Sequence, residues 1–146
     1  MKGIDDRDRM ILDYLKEDAR AKISEISSKL NIPRATVFEK LEKLKETGVI
    51  TRFTIDTDYE KLGTPVLAYI MINFDPRSSV NQRDLARRIS RFGNVLSVSI
   101  IAGQWDLLVL TVNRSMRDLS MFVLDSLRSL EGVENTLSIP VFENVM

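Results

Sequence analysis

The chain has 146 residues, 44% of them hydrophobic, with 21 basic and 21 acidic side chains and neither cysteine nor histidine. That length gives one ordinary domain or two small ones, and the composition supports a buried core rather than disorder. Without Cys or His there is no disulfide, thiolate metal ligand, cysteine nucleophile or Ser-His-Asp triad, so no catalytic residue, metal site or cofactor is assigned and the chain is not read as an enzyme.

The N-terminal "MKGIDDRDR" has no apolar run of the signal-peptide kind. The apolar stretches "VLAYIMINF" and "WDLLVLTV" are strand-length and too short to span a bilayer. The expectation is a soluble, cytoplasmic protein with no membrane partner. Charge is uneven along the chain: residues 20–52 hold eight basic and four acidic side chains, whereas residues 53–146 hold nine and eleven. The sign of that bias suits nucleic acid at the N-terminal end.

Three helices are predicted first. "IDDRDRMILDYLKED" places Ile11, Leu12 and Leu15 on one face, with Asp5 as N-cap and Asp8 three residues on. "KISEISSKL" repeats the spacing with Ile23, Ile26 and Leu30. A tight break at "NIP" precedes a third helix with Val37, Leu41 and Leu44 inward and Gly48 just past its end. "VITRFTID" reads as a short β-wing with Thr51 and Arg52 near its tip, and the turn-rich "DTDYEKLG" as a linker. The expected bounds are 1–53 for the helical domain, 54–64 for the linker and 65–146 for the second domain.

After the linker the hydrophobic period changes to two. "VLAYIMINF" is a strand. "VNQRDLARRISRFG" is a helix with Leu85, Ile89 and Phe92 inward and Gly93 closing it. "NVLSVSIIAGQWDLLVLTV" is two strands joined at Ala102–Gln104, "SMRDLSMFVLDSLRSLEG" is a helix capped by Ser115, and "VENTLSIPVFENV" is a final strand. Pro140 cannot donate to a ladder, which puts that strand at an edge. The order β-α-β-β-α-β is the ferredoxin-like split sandwich, with two helices on one face of an antiparallel sheet. "YIMINF" and "LLVLTV" are apolar at nearly every position, so the other face should be buried, against a second subunit or, as the alternative, against the chain's own linker and N-terminal domain.

The third helix carries the candidate DNA-reading residues. In a helix-turn-helix the N-terminal half of the second helix of the pair meets base edges. Arg34 is suited to guanine or a phosphate, Ala35 and Thr36 to thymine methyl groups, and Glu39 to the cytosine amine. Lys22, Lys29, Lys40, Lys43 and Arg52 are candidate phosphate contacts. Phe38 reads as a packing residue at the helix flank. In the second domain Gly103, Gln104, Trp105 and Asp106 form a candidate ligand turn, with Asp106 suited to an ammonium group, and Thr136 and Ser138 are further candidates. A hairpin turn anchored by Trp105 accounts for the same four residues equally well.

Taken together, "ID..D..IL..L..D.R", "L..TGVI..F", "KLG", "G.WD" and "EGV" resemble the Lrp/AsnC (leucine-responsive, feast/famine) family of transcriptional regulators over nearly the whole chain. The resemblance implies an α+β architecture: an N-terminal winged helix-turn-helix and a C-terminal RAM/ACT-like sandwich. It implies double-stranded DNA as partner, a homodimer assembling further to tetramers, octamers or larger disks, and a small amino-acid effector near the "AGQWD" turn at a contact between dimers. Pro33 departs from the pattern, since a Ser or Thr cap is usual there. Arg7, where an apolar residue is common, should perturb only a helix edge. Two alternatives stand beside this reading. One is an architectural DNA-wrapping protein of the same fold without an effector. The other, remote, is a tetrapyrrole-decarboxylase-like enzyme, whose chemistry depends on the histidine this chain lacks.

Overall fold

The computed structural model describes residues 3–145. The chain divides into two compact units, residues 1–56 and 57–146.

The first unit holds α1 (Asp6–Glu17), α2 (Ile23–Leu30) and α3 (Arg34–Glu46). Helix α1 starts with a reciprocal box: the Asp8 amide donates to Asp5 Oδ1 at 2.8 Å and the Asp5 amide to Asp8 Oδ2 at 2.9 Å. Two of the four orphan N–H groups at that end are thereby satisfied. Helix α2 has only the returning half of such a box, the Lys22 amide donating to Glu25 Oε2 at 2.8 Å, because a Lys side chain has no acceptor. The core is Ile11, Leu15, Ile26, Ile32 and Val37, with Leu12, Leu30 and Leu41 half-buried and Leu44 buried on the predicted face.

The break between α2 and α3 explains Pro33. Asn31 closes α2 in the left-handed region (φ 52°), which Asn tolerates better than other side-chain-bearing residues. Ser27 then holds the turn twice: its carbonyl accepts from the Ile32 amide at 3.1 Å and its hydroxyl donates to the Ile32 carbonyl at 2.6 Å. Ile32, in the restricted position before a proline, inserts into the core. Pro33 (φ −54°) is the N-cap of α3 and its carbonyl accepts from the Val37 amide at 3.0 Å. It contributes a preset φ rather than a side-chain cap. The helix therefore starts at Arg34.

One predicted element does not form. No strand occurs over residues 49–56, where a β-wing was expected. A strand needs a ladder partner, and no other strand lies among the described residues of this unit. The Ile50 amide instead returns to the Leu44 carbonyl at 2.9 Å, beyond a left-handed Gly48 (φ 74°). The "DTDYEKLG" segment is more structured than a linker. Asp58 Oδ1 accepts from the Glu60 and Lys61 amides, and the Thr64 amide reaches back to the Tyr59 carbonyl at 2.9 Å across a left-handed Gly63.

The second unit contains β1 (Val66–Phe74), α4 (Gln82–Ser90), β2 (Val95–Ile100), β3 (Leu107–Asn113), α5 (Met116–Met121) and β4 (Val133–Pro140). The sheet order is β2-β3-β1-β4, antiparallel throughout, with the Pro140 strand at an edge. Asn81 and Ser115 cap α4 and α5 through their side-chain oxygens. Gly93 does not act as a left-handed helix terminator: α4 ends at Ser90, and the positive-φ glycines are Gly48, Gly63, Gly103 and Gly132. Helix α5 runs on into a π-helical segment, Phe122–Leu127, whose last turn carries an i→i−5 bond from the Arg128 amide to the Val123 carbonyl at 3.0 Å.

The two faces of the sheet differ sharply. Ala68, Ile70, Ile72, Leu107 and Val109 point toward the helices and are fully buried with Leu85, Ile89, Leu119 and Leu127. On the other face Tyr69 lies between Leu110 and Ile139, and Met71 between Leu108 and Leu137. There Tyr69, Leu137 and Ile139 are about two-fifths exposed.

Candidate nucleic-acid interface and ligand turn

Helix α3 shows solvent a face made of Arg34, Ala35, Phe38 and Glu39, with Thr36 half-buried at its side. Phe38 is 52% exposed and lies outside the hydrophobic core, contrary to the expected packing role. The wheel position, on the shoulder with Arg34 and away from Val37, carried that signal. Lys22, Lys29, Lys43 and Arg52 are exposed, as phosphate contacts must be. None of the four carries a side-chain ion pair among the described residues.

Lys40 differs from that set. Its ammonium donates to Asp5 Oδ2 at 2.6 Å and Asp8 Oδ1 at 3.1 Å, and its side chain is only 18% exposed. The Asp8 carboxylate is 5% exposed, a buried charge that needs a partner. The Lys40 hydrogen bond is the main cause that holds the Asp5 carboxyl down to about 2, and the Asp5 bond raises the Lys40 ammonium above its ordinary value. The same two acids therefore cap α1 and anchor α3. Further along, Lys45 pairs with Glu42 at 2.9 Å. After these pairings the charges left on α3 are Arg34, Glu39, Lys43 and Glu46, so the helix remains nearly neutral.

The turn between β2 and β3 is held firmly. Gly103 takes φ 119°, a conformation other residues rarely adopt. Asp106 Oδ2 accepts from the Phe74 amide at 2.8 Å, the Asp106 amide donates to the Ile72 carbonyl at 3.0 Å, and Gln82 Nε2 reaches the Asp106 carbonyl at 3.3 Å. Asn73 Nδ2 donates to the Gln104 carbonyl at 2.8 Å. Asp106 thus has one carboxylate oxygen committed to the backbone, and its Oδ1 has no donor among the described residues. Gly103 and Gln104 are exposed and Trp105 and Asp106 half-buried, so the four form one accessible turn.

Thr136 and Ser138 do not join it. Their partners across β1 are Ile72 and Ile70, which places both on the helix-covered face. Thr136 accepts from Arg128 Nε at 3.1 Å, and Ser138 borders a separate cleft with Met116, Leu124, Arg128 and Pro140. Alternation along β4 puts Thr136, Ser138 and Pro140 on one face, and the pairing of Pro140 with the buried Ala68 makes it the helix side.

Comparison with known proteins agrees with this architecture. A family model described as Lrp/AsnC ligand binding domain matches residues 67–146, and one described as winged helix-turn-helix DNA-binding matches residues 4–51. An HTH-type transcriptional regulator of Pyrococcus abyssi is 40% identical over 142 residues, 97% of this chain and 95% of that protein. Another, from Pyrococcus furiosus, is 35% identical over 142 residues, again 97% and 95%. Escherichia coli AsnC shares the fold with a TM-score of 0.86 at 23% identity, covering 99% of this chain and 96% of that one. A transcriptional regulator from Neisseria meningitidis, solved in complex with L-Met, gives 0.90 at 24% identity, covering 99% and 93%. No helix among the described residues is long and apolar enough to cross a membrane. A helix-turn-helix with an exposed reading face, followed by a βαββαβ domain with one open apolar sheet face, makes this chain a member of the Lrp/AsnC family of DNA-binding transcriptional regulators.

Proposed function

We propose that the protein binds operator DNA as an assembly of at least two copies joined through the open sheet face, and that a small amino acid at the 103–106 turn modulates that binding. The observation that carries the reading is the pairing of a nearly neutral reading helix with an uncovered apolar sheet. One copy of α3 offers Arg34 and Lys43 as cations against Glu39 and Glu46, which is little attraction for a polyanion. Two copies linked through the sheet bind as one ligand, at a millimolar effective concentration of the second site.

In this reading Arg34, Ala35, Thr36 and Glu39 meet base edges, and Phe38 adds an apolar surface suited to a thymine methyl. Lys22, Lys29, Lys43 and Arg52 hold phosphates, while Lys40 is withdrawn from that set by Asp5 and Asp8. At the turn, the Asp106 Oδ1 and the backbone at Gly103 are suited to the ammonium and carboxylate of an amino acid, with Gln104 and Trp105 as wall. The L-Met complex of the Neisseria regulator supports the ligand class. Location in the cytoplasm and further assembly to tetramers or octamers follow from the same reading.

The test is a panel of the twenty amino acids in thermal shift, followed by DNA titration at fixed salt with each hit. The reading expects at least one amino acid to raise the midpoint and to change DNA affinity or assembly size, and the response to vanish in Asp106→Ala. A protein that binds DNA identically with every amino acid is instead an architectural DNA-binding protein of the same fold.

A further inference from the structure

A second recess in the C-terminal unit lies at the opposite end of the sheet from the 103–106 turn. The whole of β3, from Leu107 to Asn113, separates the two, a distance of about 20 Å at strand rise. The recess is a cleft of about 560 Å³ between the β2 end of the sheet and the helix that begins at Met116. Its size lies within the range of small-molecule sites.

The cleft has an apolar floor and a charged rim. Phe92 and Phe122 meet edge-to-face in the floor, ring centroids 5.2 Å apart and planes at 78°. Beneath the wall runs a buried polar chain: Asn113, 4% exposed, donates to the Val66 carbonyl at 3.3 Å and to Thr111 Oγ1 at 3.1 Å, and accepts from Asn94 Nδ2 at 3.1 Å. This fixes the Asn94 amide in the wall. On the rim stand Arg114, Asp118 and Asp125. Among the described residues none of the three has a side-chain ion pair. The π-helical segment Phe122–Leu127 borders the cleft and supplies Phe122 and Asp125. Single π-helical turns within α-helices are rare and are frequent at functional sites.

We propose that this cleft binds a dibasic amino acid, a ligand with one carboxylate and two cationic groups on an aliphatic stem. One guanidinium and two carboxylates leave the rim at −1, which a ligand of charge +1 neutralises. The planar fork of Arg114 matches a carboxylate bidentately. Asp118 on α5 and Asp125 on the π-helical segment are seven residues apart on the cleft rim and take one cationic group each. The methylene stem crosses the apolar Phe92–Phe122 floor. The proposal is independent of the effector reading at the turn, because it uses none of those residues.

Isothermal titration of the full chain with L-lysine and L-arginine tests it, with cadaverine (no carboxylate) and L-leucine (no second cation) as comparators at matched salt. The expected result is saturable binding of one L-lysine or L-arginine per chain, at least tenfold tighter than either comparator. Arg114→Gln and Asp125→Asn each weaken it at least tenfold. Both side chains are exposed, and far-UV circular dichroism verifies that each variant is folded. Absence of saturable binding by the wild type at millimolar ligand overturns the proposal. So does binding unchanged in both variants, or cadaverine binding as tightly as L-lysine.

Discussion

Replacing Lys40 by Met separates an internal tie from a DNA contact. Met keeps the aliphatic stem and removes the ammonium, leaving the 5%-exposed Asp8 carboxylate without its cation. Removing one partner of a buried pair costs about 3–5 kcal/mol. Here Asp8 retains the Asp5 amide at 2.9 Å, so the expected cost is lower, about 2 kcal/mol at neutral pH. With a denaturant slope near 1–2 kcal/mol/M, the urea midpoint of the helical domain falls by about 1–2 M. Far-UV circular dichroism follows the helices of both domains, and Trp105 fluorescence, which reports the other domain alone, identifies the transition that belongs to it. The pH dependence has a definite sign. Asp5 is depressed in the folded chain from 3.8 to about 2, so its contribution is complete above pH 4 and disappears as pH falls through 2. Lys40 is raised, so its contribution is complete below its ordinary value of 10.5 and is lost only when pH rises past the folded value. The wild-type advantage over Lys40→Met is therefore flat from pH 4 to 10 and narrows toward pH 2. Equal stability of the two proteins, together with weaker binding to every DNA sequence and a smaller salt slope, refutes this account and makes Lys40 a phosphate ligand.

Three further outcomes follow from the geometry. Gly132→Ala places a Cβ 3.0 Å from Val80 Cγ2 and 3.2 Å from Phe74 Cε2 at φ 99°, and destabilises the C-terminal domain by about 2–4 kcal/mol in denaturant unfolding. Arg34→Ala lowers affinity for specific DNA by about 1–3 kcal/mol and affinity for random DNA by much less, read by competition titration; an equal loss on both moves Arg34 to the phosphates. Arg52→Ala weakens all sequences alike and reduces the salt slope by about one.

Local chemistry was legible in the sequence wherever a few neighbouring residues decide the outcome. The Asp5–Asp8 box, the Ser115 cap and the edge position of the Pro140 strand are of that kind. Strand-length apolar runs marked β1 and β3, the two central strands, which bury one face against the helices. What escaped involved distant partners or a small phase change. Lys40 finds its carboxylates 32 and 35 residues away, so the sequence showed only an unassigned positive charge. The π-helical turn after Met121 is a slip of one residue, invisible beside an apolar spacing that an α-helix also satisfies. The wing failed because strand propensity does not supply a ladder partner. Phe38 was misplaced because an aromatic residue at a helix flank usually packs, and here the core closes with Val37 and Leu41 instead. Thr136 and Ser138 were candidates as polar residues on the last strand, whereas their pairing with Ile72 and Ile70 turns them to the helix side.

Assembly through the open sheet face is the central claim, and Leu110→Asp tests it most directly. Leu110 stands on that face between Tyr69 and Ser97, so a carboxylate there opposes burial against a second copy while leaving the helix-side core untouched. Light scattering fixes the oligomeric state, and DNA titration at one stated salt fixes the affinity of wild type and variant. The account predicts an oligomeric wild type, a folded monomeric variant, and DNA binding weaker in the variant by at least a hundredfold. A variant that stays oligomeric, or a monomer that binds DNA as tightly as the wild type, contradicts it.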